Sequence, residues 1–254
     1  MDKMISSQLG PARGPKFAAI KKDVHYSPQS LGQMLFAFTL RNEFDRLMEE
    51  AVGENYCTFF EGRNGLYYIL VYLKRKFRCK RILVPSGICL AVKLASQAAQ
   101  YQISYYRKKP TGVREGDVVL TTDSSMRIRS RCFTIQDNAR NPLVPSKDYD
   151  FTLYSFGNGK PLSSGGGGVV VVNNPRLYDF LGIRKALRKP SAKMETCVYL
   201  KSLFWKLTVS SAVRSYGKRS RGISESYGRL FGIKVTNLNL SMCTISKRLA
   251  TALL

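Results

Sequence analysis

Lys160 is the residue with the clearest potential for chemistry, because of the segment around it. Ser155 precedes it by five residues, and four consecutive glycines, 165–168, follow it closely. Residues 151–156 have the composition of a buried strand. A lysine amine in such a loop can form a Schiff base with a carbonyl and can then carry a proton to or from the reacting carbon. The alternative is a flexible hairpin rich in glycine and serine, in which Lys160 is solvated.

A second candidate is Asp137, in the segment Ile135-Gln-Asp-Asn-Ala-Arg140. A carboxylate at the end of a buried strand could hold a pyridine nitrogen in its protonated form. Pyridoxal phosphate (PLP) needs this, because its protonated ring withdraws electrons from the reacting carbon. The alternative is that Asp137 is a turn residue or a helix N-cap. Beside Lys160, Asp137 favours PLP as the cofactor.

A third candidate is the loop Glu61-Gly-Arg-Asn-Gly-Leu66, which precedes a helical pattern. Glycines at the start of a helix expose backbone N–H groups, and the helix dipole adds positive potential. Arg63 contributes a charged donor with two parallel N–H groups. Gly62, Arg63 and Asn64 therefore suit a phosphate group. The alternative is an ordinary turn before a helix.

The elements that must position these residues alternate along the chain. Short apolar segments predict strands, and segments with helical spacing separate several of them. This order predicts an α/β domain with a mainly parallel sheet sandwiched by helices, and sites in such sheets lie at the carboxyl ends of the strands. Asp137 and Lys160 both fall there. The predicted strands are 81–85, 102–106, 117–122, 132–136, 151–156 and 169–173, and the predicted helices are 31–52, 65–78 and 88–100.

Three regions are expected along the chain. Residues 1–24 read as a mobile basic arm, residues 25–185 as the large domain, and residues 186–254 as a basic helical segment. Residues 197–216 combine apolar and basic positions. They could lie on an anionic membrane surface, but packing against the large domain is the preferred interpretation.

Composition limits the class of protein. The 254 residues carry a formal charge of +24, which suits nucleic acid, an anionic membrane surface or a phosphorylated substrate. The six cysteines form no C-x-x-C pair and His25 is the single histidine, so a zinc site and a Ser-His or Cys-His catalytic pair are not expected. Scattered cysteines and the absence of a visible signal peptide or spanning segment favour the cytoplasm.

Taken in order, these motifs resemble the DegT-type sugar aminotransferases, which are fold-type I PLP enzymes. The resemblance covers about residues 55–185. It implies that Lys160 is the Schiff-base lysine, that Asp137 pairs with the pyridinium, and that Gly62, Arg63 and Ser155 lie near the phosphate. It also implies a homodimer with the active site at the subunit interface. The matching motifs are Gly62-x-x-x-Leu66, Val84-Pro85-Ser86, Asp137-x-Ala139, Ser155-Phe156-x-x-x-Lys160 and Gly165-x-Gly-Gly168.

The chain also departs from the family pattern. Cys89 stands where the family usually has an aromatic residue that stacks on the pyridine ring, and Arg140 stands in place of the usual Gln or His beside the phenolic oxygen. A much shorter segment, 123–131, replaces the family's His-x-x-Gly segment. The small C-terminal domain of the family is expected to be missing or vestigial.

Two functions follow as expectations. The first is a PLP-dependent aminotransferase that transfers an amino group to a nucleotide-linked keto sugar, as in polysaccharide biosynthesis. The second is a catalytically degenerate scaffold or regulatory protein of the same fold that binds a partner or a polyanion through its positive surface. No nucleic-acid-binding motif supports the second beyond charge.

Overall fold

A computed structural model describes residues 43–128, 131–140, 148–157, 160, 164–204, 242–243 and 246–248 of the chain. Within these ranges helices and strands alternate from the first helix to the third strand, as is typical of an α/β domain, and four further strands then follow with no described helix between them. The helices are α1 (Phe44–Val52), α2 (Gly62–Phe77), α3 (Leu90–Ala98) and α4 (Ala192–Phe204), with a 3₁₀ segment at Pro175–Lys185. The strands are β1 (Tyr56–Phe59), β2 (Arg81–Pro85), β3 (Gln102–Tyr106), β4 (Val118–Thr121), β5 (Phe133–Asp137), β6 (Phe151–Ser155) and β7 (Gly168–Val172).

The seven strands form one sheet in the order β1-β7-β6-β5-β4-β2-β3. The pairs β2–β3, β2–β4, β4–β5 and β5–β6 are parallel, and β7 runs antiparallel to both β6 and β1. The carboxyl ends of β2, β4, β5 and β6 therefore meet at one edge of the sheet, and this is where parallel sheets place their sites.

The central strands are apolar because both of their faces are covered. On one face, α2, α3 and the 3₁₀ segment pack on residues such as Ile82, Leu120 and Ile135, all fully buried. On the other face, Phe44 and Met48 of α1 join Tyr154 in a second apolar cluster. The prediction of a mainly parallel sheet with helices on both sides is confirmed.

The last turn of α2 is basic, with Lys74, Arg75 and Lys76. The helix stops at Arg78, which takes a left-handed conformation with φ 58°. Lys74 Nζ lies 3.2 Å from the carbonyl oxygen of Ala99 and 3.3 Å from that of Gln100, so it donates to the carboxyl end of α3. This lysine neutralises the negative end of a neighbouring helix, as the helix dipole favours.

Element boundaries differ from the predicted ones at several points. The helix predicted over 65–78 begins three residues earlier, at Gly62. The antiparallel direction of β7 and the strand β1 were not predicted. The segment Tyr56–Phe59 is too short to show a period of its own, and it is a strand because it pairs with β7.

Some predictions concern residues outside the described ranges. These are the arm at 1–24, the first part of the helix over 31–52, and the part of the 197–216 segment that follows Phe204. Within the ranges that the structure describes, no helix combines the length and apolar composition needed to cross a bilayer.

Candidate active site

Asp137 and Lys160 come together at the carboxyl edge of the sheet. Asp137 is the last residue of β5, and Lys160 follows β6, which is the parallel neighbour of β5. The Asp137 side chain is buried, with 8% of the residue exposed. Its Oδ1 accepts a hydrogen bond of 3.0 Å from the backbone N–H of Ala139. The backbone N–H of Lys160 donates to the carbonyl oxygen of Gly157 at 3.2 Å, which closes a turn.

Burial controls the chemistry of the Asp137 carboxyl. Burial raises the pKa of Asp137, while the hydrogen bond from Ala139 and the positive charges of Lys160 and Arg140 act in the opposite direction without cancelling it. An ionised carboxylate in such a place needs a partner with positive charge. A protonated pyridine nitrogen placed against Asp137 would supply that charge and would in turn be held protonated.

The start of α2 lies against the end of β6. An ideal Cβ on Gly62 would lie 3.0 Å from the Cβ of Ser155 and 3.1 Å from its Oγ, so only a glycine fits easily there. On the other side, a Cβ on Gly168 would lie 2.4 Å from the Cα of Gly62. Two glycines therefore let β7 and the start of α2 touch through their backbones. The contact brings the first turn of α2 beside the Ser155 hydroxyl.

Arg63 lies in this first turn and forms an ion pair with Glu61, the N-cap residue of α2. Both side chains are largely enclosed, with 13% of Arg63 and 25% of Glu61 exposed. Nε of Arg63 is buried and has no hydrogen-bond partner in the described part of the chain. The Glu61 side chain makes no capping hydrogen bond to the helix. The loop thus combines an arginine that is only partly satisfied with a helix end that has no side-chain cap.

The other predicted site residues occupy different surroundings. Asn64 is completely buried in the first turn of α2, so its side chain faces protein. Cys89 is exposed at the N-cap of α3, near the carboxyl end of β2, and it offers no ring for stacking. Arg140 is exposed just beyond β5 and contributes positive charge at Asp137.

Glu61 pairs with Arg63 in the candidate site, although its residue type alone predicted no role there. The signal was present: an acidic and a basic residue flank Gly62 in a loop interpreted as an anion site. The sequence could not show that the two side chains are paired, because residues two apart at a helix start can point in different directions.

Comparison with known proteins bears on the fold. No family model matches the chain, and no curated protein sequence does. A solved structure of GDP-4-keto-6-deoxymannose-3-dehydratase (ColD) with bound GDP-perosamine covers 90% of this chain and 66% of its own, with 11% identity and a TM-score of 0.56. The chain has a PLP-transferase-like fold. The predicted resemblance to sugar aminotransferases is thereby confirmed at the level of the fold.

Two other structures are similar over shorter ranges. PseC of Helicobacter pylori, an aminotransferase involved in the biosynthesis of pseudoaminic acid, matches 77% of this chain and 70% of its own at 10% identity and a TM-score of 0.49. The sugar aminotransferase CalS13 of Micromonospora echinospora matches 64% of this chain at 17% identity and a TM-score of 0.49. The chain spans only 56% of the length of CalS13.

The residues at the edge of the sheet fit PLP. The unpartnered Nε of Arg63 and the Ser155 hydroxyl beside Gly62 can donate to a phosphate. The buried Asp137 suits a pyridinium, and Lys160 lies close enough for its charge to act on Asp137. Cys89, which the resemblance places at the stacking position, has no aromatic ring.

Proposed function

We propose that this protein binds PLP and acts as an aminotransferase on a nucleotide-linked keto sugar. The observation that carries the proposal is the buried Asp137 at the end of β5 with Lys160 on the neighbouring strand connection. The fold alone does not choose a reaction, because one fold supports many chemistries. A homodimer in the cytoplasm, with a role in polysaccharide biosynthesis, belongs to the same proposal.

Different residues of the chain would bind the phosphate, hold the ring nitrogen protonated and transfer the proton. Arg63, the Ser155 hydroxyl and the first N–H groups of α2 would hold the phosphate, and the Asp137 carboxylate would keep the proton on the ring nitrogen. Nζ of Lys160 would hold the cofactor covalently, and the same amine would move the proton at the reacting carbon of the substrate. When bound, PLP supplies an electron-withdrawing ring that stabilises negative charge at that carbon.

The test is covalent labelling at a single lysine. Purified protein is mixed with PLP, treated with borohydride, and digested for mass spectrometry. The label is expected on Lys160, and the Lys160→Ala variant should lose both the label and the yellow colour. Lys189→Ala removes an exposed lysine far along the chain and should keep both. A coloured, labelled Lys160→Ala protein would refute the assignment.

A second candidate function has support from one surface feature. Three consecutive basic residues follow β3 and are all exposed: Arg107, Lys108 and Lys109. The whole chain has a formal charge of +24. A scaffold of this fold that has lost catalysis could bind a polyanion there. Such a protein would take up no PLP on Lys160 but would bind a polyanion at low salt.

A further inference from the structure

We infer that Glu61 is an internal counter-anion that occupies Arg63 and must be displaced before a phosphate can bind at the start of α2. The inference rests on the proposed function, because the phosphate concerned is that of PLP. It assigns to Glu61 control over which anions the site admits and how tightly.

The pair lies in the first turn of the helix and not on open surface. Glu61 is the residue before Gly62, and its backbone forms a bridge with Gly167. Its carbonyl oxygen accepts from the N–H of Asn64 at 3.0 Å, so the backbone on which the carboxylate is carried is fixed. Arg63 follows Gly62, and a Cβ on Gly62 would point towards Ser155. The two charges therefore flank the place where the phosphate is proposed to bind.

The pairing satisfies the arginine only in part. A guanidinium binds best when two parallel N–H groups meet two oxygens of one anion. Here one terminal nitrogen of Arg63 contacts Oε2 of Glu61, but neither Nε of Arg63 nor Oε2 of Glu61 has a partner with hydrogen-bond geometry in the described residues. A phosphate has three oxygens that could satisfy both nitrogens. The ion pair is thus a replaceable contact.

Because Glu61 competes for Arg63, the site should favour anions that carry more than one negative charge. With Glu61 in contact, the charge of Arg63 is neutralised, and a partly buried pair is screened by water less than a surface pair. A phosphate monoester carries about −1.5 to −2 at pH 7, against −1 for a carboxylate, and can outcompete Glu61. A singly charged anion has no such advantage. Without Glu61, Arg63 would accept any anion more readily.

The experiment compares Glu61→Gln with wild type for two probes, inorganic phosphate and PLP. Binding is measured by calorimetry at constant ionic strength, and the link of PLP to Lys160 is measured separately by borohydride labelling. We expect Glu61→Gln to bind both probes about ten-fold more tightly, the gain from freeing one charged hydrogen-bonding group. Glu49→Gln removes the same charge from an exposed position on α1 and should leave both affinities unchanged.

Two further variants keep the test decisive. If Glu61→Gln does not fold, as judged by circular dichroism, Glu61→Asn replaces it, since asparagine is a favourable N-cap. The double variant Glu61→Gln/Arg63→Gln should lose most of the gain, because the inference places the effect on the guanidinium. Equal affinity in the single and double variants would overturn it.

The outcomes separate this inference from the proposed function. If PLP labels Lys160 in wild type and in Glu61→Gln with equal affinity, the inference is wrong and the proposed function stands. If Glu61→Gln gains affinity for inorganic phosphate but neither protein is labelled by PLP, the counter-anion is real and the PLP function is wrong. An equal gain in Glu49→Gln would reduce the effect to net charge and would also overturn the inference.

Discussion

Asp137 and Lys160 differ in how much their surroundings constrain them. Asp137 is enclosed at the end of β5, and its carboxyl is held in one orientation by the N–H of Ala139. Lys160 is only partly buried, in a turn closed by Gly157. The Asp137 carboxyl is thus a fixed, desolvated group that a positive charge would stabilise, whereas the Lys160 side chain is partly exposed.

The cost of burying Asp137 leads to a prediction about stability. Because burial raises the pKa of Asp137 above its ordinary value of 3.8, the free protein loses stability as the pH rises from 3.8 through the folded-state pKa. Asp137→Asn keeps the shape and the hydrogen bond from Ala139 but carries no charge. We expect this variant to be more stable than wild type at pH 7 to chemical denaturation, and equal to it below pH 3.8.

The same variant should behave in the opposite way towards PLP. Loss of the carboxylate removes the charged partner of the ring nitrogen, so affinity for PLP should fall by about ten-fold, the value of one charge-assisted hydrogen bond. Glu54→Gln, at an exposed position, serves as the control in both measurements. A variant that is less stable than wild type at pH 7, or that binds PLP equally well, would contradict this account of Asp137.

At the scale of elements, the site depends on the contact between β7 and the start of α2. The glycines of this contact have different neighbours: Gly62 faces Ser155 on one side and Gly168 on the other. Any side chain between them would push the first turn of α2 away from β6. The tetraglycine is therefore required in part by close backbone packing, and it is not only a flexible loop.

Gly168→Ala tests this role. Its Cβ would lie 2.4 Å from the Cα of Gly62, so the backbone must shift. Overpacking of this kind costs about 1–3 kcal/mol in the free energy of unfolding, and phosphate binding should weaken with it. Gly182→Ala is the matched control, because its Cβ would meet nothing within 4 Å and its φ is not positive. Denaturant unfolding and phosphate calorimetry on both variants measure the difference, and equal values for the two would contradict the packing argument.

At the scale of the whole molecule, the charge of +24 is the dominant property that the site does not explain. Ion pairs account for some of the cations in the described part: Arg81 binds Asp117, Lys76 binds Asp179 and Arg127 binds Asp148. Arg107, Lys108 and Lys109 remain exposed after β3. They lie on the same edge of the sheet as the carboxyl ends of the other parallel strands.

This charge predicts a strong salt dependence for any polyanion that binds. For single-stranded DNA, the logarithm of the association constant should fall with the logarithm of the salt concentration by about 0.7 for each phosphate neutralised. Replacing Arg107, Lys108 and Lys109 by glutamine should reduce this slope by about 2. The same replacement of Lys185, Lys189 and Lys193, which are also exposed, is the control. Equal slopes for both triple variants would show that the binding is diffuse and does not depend on the 107–109 cluster.

The class of fold and the residues proposed to carry the chemistry were both predictable from the sequence. Short apolar segments separated by segments with helical spacing predicted the α/β sheet. Strands that are buried on both faces of a sheet must be apolar along their whole length. Asp137 and Lys160 were predicted as site residues because polar residues that follow buried parallel strands lie at one edge of the sheet. These features are local in the chain, and local patterns can be read from it.

The completion of the candidate site depends on contacts between segments that are far apart in the chain. The antiparallel direction of β7, the strand β1 and the contact of Gly168 with Gly62 depend on pairing between distant segments. The same holds for the burial that raises the pKa of Asp137 and for the ion pair that binds Arg63 to Glu61. Desolvation and the direction of a side chain are properties of the packed molecule, so residue types and spacing could suggest an anion site but could not show that it already contains an anion.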